Sequence, residues 1–451
     1  MKSLRYIFFA FVIFLIASLN SFAAEIEPFY ERLYDGKSIC EYTSSVDIPE
    51  VDGYAAYVYN LETGSVMYSK NASDMVYPAS TVKLMTAIVA YENIPDLSVS
   101  ITASKSAVTA TQGANMAIKA GESFTAEQLL YGLLVTGAND AANVLAEHVA
   151  GSIDEFCVLM NEKAKQLGAE NTYYTNPTGL HSDEMKTTAK DTAIVARYFY
   201  YINTLFEMSN TTRYIISPTP QTDAQRTLLN RNLLISRVRS EDYYYSAAKG
   251  MSLGNTPEAG ECIVTTAADE SGLTYLCVVM NAYSDDENNM ACTDAKNLLE
   301  MCLHNFSYTG VLSEKSIICE IPVRLAVNTD YVTLLPGAEL KVLLPTDLDY
   351  ASEITVEPRV SDDYASAPVY EGEVYGEAVV KYRNETVLGS VPLVASKNVD
   401  KSNVLYFLDR AENLVTGRWF RVFAVSAVIL FIIYFLISVF VSSGKKRVRR
   451  R

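Results

Sequence analysis

Along the chain, apolar positions change their period several times, and each change predicts a different element. After an irregular lead-in over residues 25–50, the alternation in Tyr54-Ala-Ala-Tyr-Val-Tyr-Asn60 and in Ser65-Val-Met-Tyr-Ser69, broken by Leu61-Glu-Thr-Gly64, predicts strand, turn and strand. From Ser80 to Leu167 the spacing becomes helical. Helices are expected over Thr81 to Tyr91, over Thr125 to Val135 behind a Thr125/Gln128 capping box, and over Asn139 to Val149. Another is expected over Ile153 to Leu167, opened by Ser152 and Glu155 and closed by Gly168. Strand patterns return over Cys262 to Thr266 and Leu273 to Met280, followed by a helix near Thr293 to Cys302. Strands, a helical block and strands again predict an α+β fold with helices segregated against an antiparallel sheet. From about Ser316 to Val399 short Val-rich segments broken by Pro and Gly predict a small β sandwich, with a stalk over 400–417.

The two ends read differently. Lys2 and Arg5 precede an apolar run from Tyr6 to Leu19, and Ser21-Phe22-Ala23-Ala24 offers small residues for cleavage, so residues 1–24 read as a secretory signal peptide. Val422 to Val441 holds no charge and is long enough for a transmembrane helix, placed with its flanks at 418–444. The basic tail 445–451, with Lys445, Lys446, Arg447, Arg449, Arg450 and Arg451, is expected on the cytoplasmic side, and Trp419 at the outer interface. The body is then extracellular.

Charge sharpens this picture. The chain has 451 residues, with 37 Lys and Arg against 53 Asp and Glu, and ten of the basic residues lie in the two terminal segments. So acidic a body would repel a phosphate backbone, which excludes nucleic acid as a partner. Seven cysteines without tight spacing, an odd number, read as a mostly reduced and buried set, with one or two bridges left open. Three scattered histidines suggest no metal site.

The sharpest chemical signal is Tyr77-Pro78-Ala79-Ser80-Thr81-Val82-Lys83. Pro78 ahead of a helical run puts Ser80 at a helix N-terminus, where amide groups favour developing negative charge. Lys83, three residues on, shares its helix face. A serine needs a base to become a nucleophile, and a desolvated lysine can serve, so the pair needs no histidine.

This segment resembles the nucleophile motif of the D-alanyl-D-alanine carboxypeptidases, low-molecular-mass penicillin-binding proteins of the serine β-lactamase-like fold. The resemblance continues in order along some 340 residues. It runs through Ala55 to Asn60 with Thr63-Gly64, Leu133-Leu134-Val135 before Asn139-Asp140-Ala141-Ala142, Asn176-Pro177-Thr178-Gly179-Leu180, Thr256 to Cys262, and Gly389 to Val394. It implies a DD-peptidase-like domain over 25–315, a C-terminal β domain over 316–399, and hydrolysis of peptidoglycan stem peptides through a Ser80 acyl-enzyme. β-Lactams are implied as covalent ligands, and no cofactor is. Ser80, Lys83 and Asn139 are the implied catalytic residues, with Gly137, Ser252, Gly254 and Thr256 on the substrate side. Asn139 reads equally well as the cap of the helix that follows it.

Two motifs depart from the family. Where the family has Ser-x-Asn this chain has Gly137-Ala138-Asn139, and where it has Lys-Thr-Gly this chain has Ser252-Leu253-Gly254. Thr136 beside the first points elsewhere, and Lys249 sits at an odd offset on the strand of the second. If another cation replaces the missing lysine, Arg231 and Lys249 are the first candidates. The departures leave a second reading open, a degraded family member that binds muropeptides or a cell-wall partner without turnover. A β-lactamase is a weaker third, since a C-terminal β domain and an anchor are not expected of one.

Overall fold

The central sheet has five antiparallel strands, β1 (Ala55–Asn60), β2 (Val66–Lys70), β3 (Ala248–Thr256), β4 (Gly260–Ala268) and β5 (Thr274–Ala282), in the order β2-β1-β5-β4-β3. The structure is a computed structural model that describes residues 26–448 except 35, 44–45, 271, 286–287 and 384–385. The expected signal peptide and the last three residues of the basic tail lie outside the described residues.

All six residues of β1 are buried, and β5 is exposed only at Asn281. Strands this apolar must be covered on both faces. Alternation shows how. Leu276, Val278 and Met280 of β5, with Tyr57 and Tyr59 of β1, join the core of the helical block, and Thr192 of one of its helices touches the Met280 sulfur. The intervening Cys277 faces the helix Met290–Asn305, which packs on β4 and β5 and carries Asp294 and Cys302. The expected segregation of helices against an antiparallel sheet is found, with the helix Met290–Asn305 on the second face beside the short helix Ile39–Thr43, whose Cys40 thiol lies 4.0 Å from the Met301 sulfur.

The longer helices of the helical block are α1 (Val82–Asn93), α2 (Ala126–Val135), α3 (Asn139–Ala150), α4 (Ile153–Leu167), α5 (Ala189–Tyr201) and α6 (Asn203–Asn210), and a short helix, Lys105–Thr109, packs on α3. The caps read from sequence are present. Thr125 and Gln128 form a complete capping box, Ser152 accepts from the Glu155 amide, and Gly168 ends α4 at φ +89°. Two helices, α5 and α6, were not expected from the apolar pattern. Their polar residues Asp191 and Thr192 are buried, and the Asp191 carboxylate is taken up by the Asn171 amide and the Thr172 hydroxyl. Helix α1 is buried at every position from Val82 to Ala90, Lys83 included. A helix apolar on all sides belongs in the middle of a domain, and a lysine there is conspicuous.

The described cysteines are all free thiols, and six of the seven are buried. Contacts divide the chain into two units, Met1–Thr309 with Leu343–Leu348, and Gly310–Val342 with Asp349–Arg451. The second contains a six-stranded sheet in which Ile354–Val360, Val374–Tyr382, Thr386–Ala395, Tyr331–Pro336 and Cys319–Arg324 are neighbours in that order, with Ala365–Ser366 parallel at the edge. Burial alternates along Thr386–Ala395 and Tyr331–Pro336, as in a sheet with one packed face. The stretch expected as a stalk is a helix, Asn403–Thr416, and it leads to the helix Arg418–Val448. Within the latter, Arg418–Val439 is long and apolar enough to cross a membrane.

Candidate active site

Ser80 lies in a single 3₁₀ turn, Ala79–Thr81, that runs directly into α1. The preceding Ala79 has φ +47°, a conformation a residue with a Cβ seldom takes, so the chain turns sharply as it presents the serine. The Asn176–Leu180 segment holds that turn from behind. Gly179, at φ +79°, lies so close that a Cβ there would overlap the Ala79 carbonyl. Asn176 Oδ1 accepts from the Thr178 amide at 3.1 Å, the Gly179 amide at 2.8 Å and the Thr178 hydroxyl at 2.8 Å. This local knot directs the Thr178 carbonyl at Lys83.

Lys83 Nζ stands 2.9 Å from Ser80 Oγ and donates to the Thr178 carbonyl at 2.5 Å. Among the described residues its side chain has no carboxylate partner. With the residue only 3% exposed, burial drives its pKa down from the ordinary lysine value to about 7, and the nearby Arg231 guanidinium adds to the effect. At neutral pH about half of the amine is therefore unprotonated and able to take the Ser80 proton.

Edge strand β3 closes the other side. A Cβ on Gly254 would overlap the Ser80 Cβ and lie 2.9 Å from both its amide nitrogen and its Oγ, so only glycine lets the strand run this near the nucleophile. Ser252 on the same strand donates its hydroxyl to the Ser80 carbonyl at 3.2 Å. Thr256 lies further along and accepts from the Ala259 amide at 3.1 Å, which makes it a turn residue beside Tyr77 and Pro78 rather than part of the Ser80 cleft.

The capping role weighed for Asn139 is not what the structure shows. Ala138 occupies the cap of α3, in extended conformation, and Asn139 is the first helical residue. Its Nδ2 donates to the Gln112 carbonyl at 2.6 Å, while its buried Oδ1 has no partner among the described residues. The loop that carries Gln112 is itself pinned, because the Asp140 carboxylate receives the amides of Met116 and Ile118. Asn139 is thus held by its amide nitrogen with an acceptor to spare.

Gly137 has φ +68°, and the neighbouring Thr136 hydroxyl is spent on the Gly132 carbonyl at 3.0 Å. Above Gly137 lies Arg231, whose Cδ and Nη1 would each be 3.3 Å from a Cβ at 137. Ser80, Lys83, Gly137, Arg231, Ser252 and Leu253 share one narrow cleft, with Asn230 and Asn232 also in its wall. The two asparagines drew no notice in the sequence; their pattern, Asn-Arg-Asn, is the signal that marks them. Lys249, the other candidate cation, is exposed and outside the cleft.

Residues 42–284 match the D-alanyl-D-alanine carboxypeptidase family, more than half of the chain. The chain belongs to that family. Residues 306–401 match the C-terminal domain of penicillin-binding protein 5. Similar relatives include the D-alanyl-D-alanine carboxypeptidase DacF of Bacillus subtilis, 27% identical over 81% of this chain and 89% of that one. The D-alanyl-D-alanine carboxypeptidase DacB2 of Mycobacterium tuberculosis is 33% identical over 51% of this chain and 81% of its own. Among solved structures, the D-alanyl-D-alanine carboxypeptidase DacD of Francisella tularensis has a TM-score of 0.62 at 24% identity, over 79% of this chain and 95% of that one, a likeness of fold. The family's α+β architecture with a C-terminal β domain is therefore that of this chain.

Proposed function

We propose that the chain is a serine-type D-Ala-D-Ala carboxypeptidase that trims peptidoglycan stem peptides through an acyl-enzyme on Ser80. The observation that carries the reading is the buried Lys83 amine, without an ion-pair partner among the described residues, 2.9 Å from Ser80 Oγ. The amine takes the hydroxyl proton as Oγ attacks the carbonyl of the penultimate D-alanine, and negative charge gathers on the carbonyl oxygen near the first amides of the helix. The C–N bond then breaks, leaving an ester on Ser80 and a terminal D-alanine whose amine needs a proton. Of the residues that line the cleft, only Lys83 carries one that it can give up near neutral pH. Water, activated by the same amine, hydrolyses the ester.

The strained ring of a β-lactam presents an acyl group to the same serine, so penicillins acylate Ser80 in this reading. The helix from Arg418 anchors the chain to the membrane with the acidic body outside the cell and the basic tail inside. Fluorescent penicillin added to the intact membrane-bound chain is expected to label it, with the adduct on Ser80 by mass spectrometry and none on Ser80→Ala. An adduct that survives in the variant contradicts the assignment. No adduct on the parent chain, together with no release of D-alanine, favours the non-hydrolysing reading, to which the absent hydroxyl at Gly137 points.

A further inference from the structure

The loop 176–180 touches both members of the reacting pair, yet Asn176 itself lies outside the cleft. Its Oδ1 accepts three donors at once, the Thr178 amide at 3.1 Å, the Thr178 hydroxyl at 2.8 Å and the Gly179 amide at 2.8 Å. Its Nδ2 donates to the Leu180 carbonyl at 2.9 Å, and the Leu180 amide donates to the Thr178 hydroxyl at 3.2 Å. One side chain therefore closes the whole loop on itself. Helix α1 meets the outside of that loop at two places one turn apart. The Thr86 hydroxyl donates to the Pro177 carbonyl at 2.7 Å, and Lys83 Nζ donates to the Thr178 carbonyl at 2.5 Å. Thr86 and Thr178 are 0% and 3% exposed, so bulk water does not compete for these contacts.

A tetrahedral amine has three directions besides its Cε–Nζ bond. The Thr178 carbonyl takes one of them as an acceptor, and Ser80 Oγ, 2.9 Å away, lies along another. With the first direction pinned, the amine does not swing freely about Cε–Nζ, and its lone pair is kept facing the serine. Pinning matters more here than it would beside a hydroxyl at 137, because Gly137 offers the amine no side chain. Ser80 Oγ and the Thr178 carbonyl are the only hydrogen-bond partners of Lys83 Nζ among the described residues. The same loop braces the serine, since Gly179, its amide held by Asn176, lies against the Ala79 carbonyl.

We propose that Asn176 is a positioning residue for acyl transfer: by holding the Thr178 carbonyl on Lys83 and Gly179 against Ala79, it aims the amine at the Ser80 hydroxyl. The proposal rests on the acyl-enzyme reading of Ser80. Asn176 touches no reacting atom and acts through Thr178 and Gly179. Once the amine has taken the Ser80 proton, the same carbonyl faces an ammonium, and a hydrogen bond to the charged form favours it. The carbonyl thus holds the base before the transfer and stabilises its charge afterwards, opposing in part the burial that drives the proton off.

The test reads the Lys83 amine directly, apart from turnover. In the full chain in detergent, with lysine carrying carbon-13 at Cε, NMR follows the Lys83 signal with pH, and its loss in Lys83→Arg identifies it. Among the described residues Arg231 alone of the charged groups acts on this amine, and no variant touches it. Asn176→Ala frees the Thr178 carbonyl to turn away, so the ammonium loses an acceptor and the midpoint is expected to fall by about one pH unit. Loosened packing alone would do the opposite, since water entering beside Lys83 raises the midpoint toward the ordinary lysine value. Asn176→Asp keeps an acceptor for all three donors and adds a negative charge, so its midpoint is expected to rise. The rate of penicillin acylation reached at high pH is expected to drop about tenfold or more in Asn176→Ala and to stay within about threefold of the parent in Asn176→Asp. Thr178→Val removes one of the three donors and leaves the carbonyl; it is expected to lower the midpoint by less, and serves if Asn176→Ala does not fold. An unchanged or rising midpoint in whichever of these two variants folds overturns the proposal, as does a high-pH rate in Asn176→Ala equal to the parent's. Failure of penicillin to label the parent chain would instead strike at the acyl-enzyme reading, and leaves the midpoint to decide Asn176.

Discussion

Lys83 has an ordinary job only if it stays uncharged. A buried amine must either find a carboxylate or lose its proton, and among the described residues no carboxylate pairs with Lys83. Its pKa of about 7 makes the sign of the pH dependence explicit. Below 7 the amine is protonated and cannot accept from Ser80, so the rate of penicillin acylation should fall about tenfold for each pH unit. Above 7 it should level off, because the base is already free. A stopped-flow series from pH 5.5 to 8.5 checks this, and a flat profile would mean that some other group takes the proton. Since the Arg231 charge helps depress Lys83, Arg231→Gln should move the midpoint to higher pH, while burial, the larger cause, keeps it below an ordinary lysine. The same shift has a cost in stability. Between about 7 and the unfolded lysine value the unfolded chain holds a proton that the folded chain lacks, so Lys83 weakens the fold most below pH 7, and stability recovers as pH rises.

At the scale of elements, the site depends on two backbone approaches that only glycine permits, Gly179 against Ala79 and Gly254 against Ser80. Strand β3 is at the sheet edge and can yield to a new methyl group by moving outward, so Gly254→Ala should leave the melting temperature within a few degrees of the parent. Acylation should fall by about a hundredfold, because a displacement of about 1 Å at the nucleophile has that effect. Acylation within threefold of the parent would show that β3 does not shape the site. What could be read from the sequence follows the same division. Helices α2 and α4 announce themselves through caps, and Ser80 and Lys83 through spacing on one helix, because each signal is local. Asn139 misled, since whether a residue is the cap or the first helical position turns on one φ/ψ pair that Ala138 takes instead. Helix α5 was invisible to an apolar pattern because buried Asp191 and Thr192 interrupt it. Arg231 could be named as a candidate but not placed. Its position comes from turns at Asn230 and Asn232 and from contact with the end of α2, far away in sequence.

For the molecule as a whole, the distribution of charge and the last helix together decide which side of a membrane the site faces. The 22 residues of Arg418–Val439 rise about 33 Å as a helix, enough for about 30 Å of hydrocarbon. Basic residues lie on both flanks, but unequally. Arg418 and Arg421 stand at the start, while Lys445, Lys446 and Arg447 lead into three further arginines at the end. The larger cluster should remain in the cytoplasm, and an acidic body on the far side is consistent with a substrate in the cell wall. Protease added to intact spheroplasts should therefore digest the chain from the Ser80 unit down to the helix Asn403–Thr416, whose apolar Phe407, Leu408 and Leu414 are exposed. An epitope placed after Arg451 should survive on a fragment of about the size of the span, and should be lost only when detergent opens the membrane. If the body is protected and the epitope is digested, the orientation is reversed. A Ser80 nucleophile facing the cytoplasm could not then reach cell-wall peptides, so the same blot would also remove the proposed substrate.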